Sequence, residues 1–324
     1  MALDCSHCSS RNLDHAQLCS NCKAPLTQIL YTLPTRTLLA QGQYRIDAVL
    51  GEGAFGITYK GMDLSKNQPV AIKELFPHGA IRQGQSFLLP NNLNDEGFTE
   101  LCEQFTIEGN CLSQLNDPHI VKVLARFKEN GTLYIVMEFV EGRTLHRLVK
   151  ARGPLEDKVV LDYLQQIGRA LSQVHQQGFV HRDVKPANIL VNAENHITLV
   201  DFGSAWAIGQ PAPKRVLTPG FAPPEQYIDN TGYPALDIYA LASTGYFALT
   251  GRTPVPSRDR LEGHKLLPFH LSNKLVTAST EMLILKGMAL SLENRPKSIS
   301  QFMLRGCNHT YREQKSSAES AASH

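Results

Sequence analysis

The chain has no apolar run long enough to cross a bilayer. Its opening, Met1-Ala2-Leu3-Asp4-Cys5, lacks the basic and then apolar pattern of a secretory leader. Charge of one sign is also missing. The 32 Lys and Arg against 30 Asp and Glu leave a formal net charge of +2. That excludes the broad basic footprint of a nucleic-acid reader and an acidic tail. No internal repeat is present, which excludes a solenoid. These absences point to a cytoplasmic protein with no membrane and no nucleic-acid partner. Cysteine is sparse: four of the 7 fall in the first 22 residues. In a reducing setting they are expected as thiols or metal ligands rather than disulfides. Cys102, Cys111 and Cys307 stand alone and are expected as small buried hydrophobes.

The 324 residues allow one large or two medium domains. Residues 1–25 are polar and too few to bury a core unaided. Residues 26–43 are expected to be a linker, made sticky in places by Ile29-Leu30-Tyr31 and Leu38-Leu39. Strand patterns begin at Tyr44. In Val70-Ala71-Ile72-Lys73 the period-two alternation puts Ala71 and Lys73 on one face, with Val70 and Ile72 on the other. After residue 140 helical spacing takes over. Val160, Leu164, Ile167, Leu171 and Val174 share one face, and Gly178 sits where a capping glycine would. Two β-like runs, Ile189–Val191 and Ile197–Val200, follow. A second apolar helix is expected from Asp237 to Leu249, ended by Gly251, and the polar tail 306–324 is expected to be disordered. A strand-rich half followed by a helix-rich half makes an α+β, two-lobed plan.

Three strings carry chemistry. Gly51-Glu52-Gly53-Ala54-Phe55-Gly56 fits G-x-G-x-x-G. It joins two strands rather than a strand and a helix, which disfavours a dinucleotide fold, and its glycines let backbone approach phosphate oxygens. On the third strand Lys73 would reach the α- and β-phosphates and needs a carboxylate to hold it. Glu108, ten residues before Pro118, is the choice; Glu100 and Glu103 are rivals on the same helix. The stretch from Leu75 to Gly84 between them is expected as an ordered insert. His181-Arg182-Asp183-Val184-Lys185-Pro186-Ala187-Asn188 and Asp201-Phe202-Gly203 then bring an acid, a lysine and two metal ligands within about twenty residues. Phosphoryl transfer needs those parts and little covalent chemistry.

A fourth string is separate: Cys5-x2-Cys8-x10-Cys19-x2-Cys22. Two Cys-x-x-Cys knuckles are the form of a four-thiolate zinc site, and so small a segment needs the metal to fold. A redox thiol pair is the other reading. A partner protein could dock on this motif.

Residues 44 to about 305 resemble the eukaryotic-like Ser/Thr protein kinases found also in bacteria. The resemblance implies the two-lobed protein kinase fold, with a β-rich N-lobe over 44–137 and a helical C-lobe over 141–305, preceded by the zinc-ribbon-like segment. It implies transfer of the ATP γ-phosphate to Ser or Thr hydroxyls of protein substrates in signalling. Asp183 would be the base, Lys185 would support the γ-phosphate, and Asn188 and Asp201 would hold magnesium (or manganese). ATP would be lined by Leu50, Gly51, Glu52, Gly53, Ala54, Phe55, Gly56, Ile57, Thr58, Ala71, Lys73, Met137, Glu138, Val140 and Leu190. In that set Met137 is the gatekeeper, Glu138-Phe139-Val140 the hinge and Leu190 the pocket floor. Thr58 stands where such kinases usually carry Val. Glu225 would pair with Arg295, Asp237 would cap the catalytic-loop backbone, and Thr218 would touch Asp183 and Lys185. Ala187 and Thr144 lack the carboxylates used to select basic substrates. The alternative is a catalytically silent nucleotide-binding scaffold, which usually loses the strand lysine, the catalytic Asp or the metal Asp. This chain keeps all three.

Overall fold

Alternating apolar residues in the first third of the chain become a sheet. In the computed structural model, residues 3–4, 10–12, 20–21, 31–53, 56–213, 217–229 and 231–303 are described. Cys5, Cys8, Cys19 and Cys22, the loop residues Ala54 and Phe55, Cys307 and the 306–324 tail lie outside the described residues. The described residues fall into two compact units, one of residues up to 101 with 127–134, the other of 102–126 with everything from 135.

In the first unit β1 (Leu3–Asp4) pairs antiparallel with β2 (Arg11–Asn12). β3 (Leu38–Leu39), β4 (Tyr44–Gly53), β5 (Gly56–Asp63) and β6 (Gln68–Leu75) follow. A hairpin of β7 (Ile81–Gln83) and β8 (Ser86–Leu88) leads to helix α1 (Asp95–Gln114), which belongs to the second unit from residue 102, then to β9 (Val123–Glu129) and β10 (Thr132–Glu138), of which residues 127–134 belong to the first. The six-stranded sheet has the order β3-β4-β5-β6-β10-β9. Along β6, Val70, Ile72 and Glu74 are buried while Ala71 and Lys73 are half-buried, as period two requires.

The stretch expected to be a linker is folded where it is described. Arg36 N donates to Ile46 O at 2.7 Å, β3 pairs with β4 as Leu38↔Arg45 and Leu39↔Tyr44, and Ala40 N donates to Glu129 Oε2 at 2.7 Å. Leu33 and Leu39 are buried, so this segment sinks its apolar side chains into the sheet instead of spacing two domains. The insert after β6 is ordered too. Phe76 packs edge-on against Phe87 at 5.2 Å, and Phe87 against Phe98 of α1 at 5.7 Å.

The second unit takes residues 102–126, which sequence reading assigned to the strand-rich half. The cause is a strand-like exchange with Leu199: Leu199 N donates to His119 O at 2.8 Å and Val121 N to Leu199 O at 3.1 Å. β11 (Arg143–Thr144) precedes α2 (Leu145–Arg152), whose first turn is capped by the Thr144 hydroxyl accepting from Arg147 N. In α3 (Asp157–Gln176) the five apolar residues at helical spacing are all buried, and Gly178 follows the helix at φ +81°. β12 (Phe179–Val180), β13 (Ile189–Val191), β14 (Ile197–Leu199) and β15 (Trp206–Ala207) make two small sheets, β11-β13-β14 and β12-β15. α4 (Pro234–Thr250) is buried over almost its whole length and ends at Gly251, φ +69°. It starts three residues before Asp237 because Pro234 suits a first helical position. α5 (Ser257–Leu261) and α6 (Ala278–Gly287) complete the unit. A Cβ on Gly287 would lie 2.5 Å from the Ala242 Cβ, so α6 reaches α4 through a bare backbone. Among the described residues no helix is long and apolar enough to cross a membrane.

Candidate active site

A buried aspartate builds the loop that carries Asp183. Asp237, in the first turn of α4, is fully buried. Its carboxylate accepts from His181 N and Arg182 N, each at 2.8 Å, and contacts His175 Nε2 at 2.8 Å. These bonds hold the chain after β12 through Arg182, whose φ of +66° a free chain rarely adopts. Burial alone would push the Asp237 carboxyl up; the His175 hydrogen bond and the charges of His175 and His181 outweigh it and hold the group below its ordinary value. His181 is buried against Phe202, ring centroids 4.6 Å apart, and burial lowers its pKa against the pull of Asp237, Asp183 and Asp201.

Around Asp183 three side chains converge. Thr218 Oγ1 donates to its Oδ1 at 2.9 Å. Lys185 Nζ lies 2.7 Å from its Oδ2 and also donates to Thr218 Oγ1 at 3.1 Å. Asn188 Nδ2 donates to Oδ2 at 3.1 Å and to the Asp183 carbonyl at 2.9 Å. A single 3-10 turn, Pro186–Asn188, sets that spacing, and Val200 N, just after β14, donates to Asn188 O. Asp201 follows, exposed, at φ +62°, with Gly203 N donating to its Oδ1 at 3.3 Å while Phe202 is fully buried. Asp183, Lys185, Asn188 and Thr218 therefore form one hydrogen-bonded group. Its carboxylate is oriented by three donors, beside a turn that presents a second carboxylate to solvent.

Arg295, 3% exposed, pairs with Glu225 and donates to Ala235 O and Ala289 O. Gln226 Nε2 donates to Arg182 O at 2.9 Å and joins the Glu225 turn to the loop that carries Asp183. Glu138 N donates to Lys122 O, and Lys122 N to Glu138 Oε1, which fixes the segment after Met137. Met137 is buried; Val140 and Leu190 are half-buried.

In the first unit Gly51 and Thr58, Glu52 and Ile57, and Gly53 and Gly56 are cross-strand partners, so the glycine string is a hairpin as expected. Leu50 through Gly53 are exposed. Gly56 cannot carry a side chain, since a Cβ there would come 2.5 Å from Glu74 O. Lys73 stands opposite Thr58 on the β5–β6 ladder. On α1, Glu108 is buried whereas Glu100 and Glu103 are exposed, which separates it from its rivals. Cys111, one turn on, is buried, and burial with the Glu108 charge pushes its thiol up to about 12.

Sequence reasoning missed one cluster. Glu74, next to Lys73, is fully buried and bonded to Tyr59, Tyr134 and Arg82. The signal was present: Glu74 continues the buried row of Val70 and Ile72.

Residues 44–324 match the protein kinase domain family. The chain is 30% identical over 225 residues to the serine/threonine-protein kinase PknL of Mycobacterium tuberculosis, covering 68% of this chain and 52% of that one. It is 33% identical over 222 residues to PknA of the same organism, covering 66% and 48%. To the serine/threonine-protein kinase F of Synechocystis it is 30% identical over 257 residues, covering 73% and 47%. The chain thus spans about half the length of the curated relatives it matches. Among solved structures it resembles the apo form of PpkA-294, with a TM-score of 0.75, 29% identity, and coverage of 85% and 99%.

Proposed function

The chain belongs to the protein kinase domain family, and on that premise we propose that it is an ATP-dependent serine/threonine protein kinase acting on protein substrates in signalling. The observation that carries this reading is the Asp183 carboxylate held by Thr218, Lys185 and Asn188. Asp183 would take the proton of an incoming Ser or Thr hydroxyl. Lys185, already 2.7 Å from that carboxylate, would meet charge on the transferring phosphoryl group. Lys73 and the glycine hairpin would hold the ATP phosphates, and Glu108 would hold Lys73.

Asn188 and Asp201 fit a magnesium or manganese ion. Asn188 spends its amide nitrogen on Asp183, leaving a carbonyl oxygen, and Asp201 offers a carboxylate; hard oxygen donors suit such cations. The ion would supply charge neutralisation on the phosphates. The catalytically silent alternative gains no support, since Asp183, Lys185, Asn188, Asp201 and Lys73 are all present. Asp183→Asn tests the reading. Phosphorylation of a general protein substrate by the purified chain should fall by on the order of 10³-fold or more, with binding of an ATP analogue retained. Near-normal turnover in the variant would overturn it.

Cys5, Cys8, Cys19 and Cys22 fit a structural zinc by donor chemistry, four thiolates at knuckle spacing. Among the described residues, which do not include these cysteines, no group of three or more His, Cys, Asp or Glu gathers for a metal. We read this segment as a docking element in a reducing, cytoplasmic setting. Metal analysis of chain purified without chelator should give about one zinc per chain; a disulfide-linked, metal-free set would favour the redox reading.

A further inference from the structure

β6 carries Lys73 on one face and, one residue on, Glu74 fully buried on the other. A buried carboxylate is costly unless every lone pair is answered. Here four donors answer it. Tyr59 OH donates to Oε2 at 2.9 Å and Tyr134 OH to Oε1 at 2.7 Å. Arg82 Nη1 donates to Oε1 at 2.8 Å and Nη2 to Oε2 at 2.6 Å. The Arg82 guanidinium lies 4.4 Å over the Phe76 ring. Burial and the Glu74 charge push both phenols above their ordinary pKa, so they remain donors.

The same groups grip the segment ahead of β3. Leu33 N donates to Tyr59 OH at 3.0 Å, and Arg82 Nη2 donates to Tyr31 O at 3.2 Å. On its other side the Glu74 backbone abuts the glycine hairpin, where its carbonyl leaves Gly56 no room for a Cβ. One carboxylate therefore joins β5, β6, β7, β10 and residues 31–33, next to both groups read as phosphate contacts.

We propose that Glu74, clamped by Arg82, Tyr59 and Tyr134, is a positioning residue for Lys73, and that residues 31–33 are the contact through which the N-terminal segment sets nucleotide affinity. The inference rests on reading Lys73 as a contact of the ATP phosphates. A carboxylate answered by four donors has one geometry, and it fixes the β6 backbone from which Lys73 projects. Once the clamp is loosened, the ammonium samples positions that miss the phosphates.

The test is a double-mutant cycle on the full chain, read as the dissociation constant of a fluorescent ATP analogue with magnesium. The proteins are wild type, Glu74→Gln, Lys73→Met and the double variant, each with its Tm. Glu74→Gln should weaken binding about tenfold in wild type and under about twofold once Lys73 is gone. A lower Tm with unchanged affinity, or additive effects on affinity, would leave Glu74 a stabilising residue only and overturn the proposal. If Lys73→Met alone leaves affinity unchanged, the reading of Lys73 fails and the proposal falls with it, a distinguishable outcome. Tyr59→Phe and Tyr134→Phe keep the test open should Glu74→Gln not fold. Both remove a donor to Glu74, but only Tyr59→Phe also removes the acceptor of Leu33 N. Tyr59→Phe should cost the larger fold-change in affinity; equal costs would overturn the role given to residues 31–33.

Discussion

The Thr218 hydroxyl donates to Asp183 Oδ1 at 2.9 Å, joining the segment after β15 to the loop of Asp183. The same oxygen accepts from Lys185 Nζ, so a single side chain orients both groups. A hydrogen bond to a charged group contributes about 1.5–3 kcal/mol. Thr218→Val should therefore lower kcat by roughly 10- to 100-fold, with little change in KM for ATP. Thr218→Ser keeps the hydroxyl and should recover most of the rate. Steady-state kinetics of the two variants decide it: a near wild-type rate for Thr218→Val beside a slow Thr218→Ser would mean that the γ-methyl packing matters and the bridge does not.

Residues 206–211, between Asp201 and Glu225, are anchored by the protein itself. β15 pairs with β12 as Phe179↔Ala207 and Val180↔Trp206, and Ile208 N donates to Gly178 O. Further on, Gly209 N donates to Gly232 O at 2.9 Å, Pro211 bridges Thr231, and Trp206 Nε1 donates to Pro211 O. Between Asp201 and Glu225 the only hydroxyl side chains in the sequence are Ser204 and Thr218, and that of Thr218 is bonded to Asp183 and Lys185. Phosphatase treatment should leave initial rates within about twofold, because these contacts hold residues 206–211 without a phosphate. A large loss that tracks dephosphorylation of Ser204 or Thr218 by mass spectrometry would contradict this.

Much of this site was legible because its parts are contiguous in sequence. His181 to Asn188 and Asp201 to Gly203 are short strings, and local hydrogen bonds fix them wherever Asp237 caps the loop. The helical unit was legible because Val160, Leu164, Ile167, Leu171 and Val174 repeat at one period and do bury. Residues 31–43 were not. Only Leu33 and Leu39 among them carry buried apolar bulk, and their partners are distant in sequence, as with Ala40 and Glu129. Glu74 was missed because a carboxylate reads as solvent-facing by default. Its burial depends on Tyr59, Arg82 and Tyr134, which no local pattern links to it.

Acid should unfold the helical unit through His181 and Asp237. Both have folded pKa values below their unfolded ones. Each therefore contributes stability that is present above the unfolded pKa and lost as pH falls toward the folded value. For His181 the loss begins below about 6.5, and for Asp237 below about 3.9. The Tm should thus be flat above neutrality and decline from about pH 6.5 downward. A neutral replacement, His181→Asn, should start from a lower Tm but show a shallower decline between about pH 6.5 and 5. Parallel melting profiles for the two proteins would show that the acid sensitivity lies elsewhere.

Arg295 separates scaffold from chemistry. It is buried, pairs with Glu225, bonds two carbonyls and stacks 5.1 Å over Tyr239, with no hydrogen bond to Asp183, Lys185, Asn188 or Thr218. Removing one partner of a buried pair costs about 3–5 kcal/mol. Here the cost should fall near the lower end, since the Glu225 side chain retains 14% exposure and some water. Arg295→Ala should lower the Tm by roughly 10 °C while leaving kcat and the KM for ATP of the folded protein near wild type at low temperature. Glu225→Gln keeps a hydrogen-bonding partner for Arg295 and should lose less. If Arg295→Ala instead abolishes turnover at a temperature where circular dichroism shows it folded, the pair acts on the catalytic loop. The route would then be Gln226, whose amide already holds the Arg182 carbonyl at 2.9 Å.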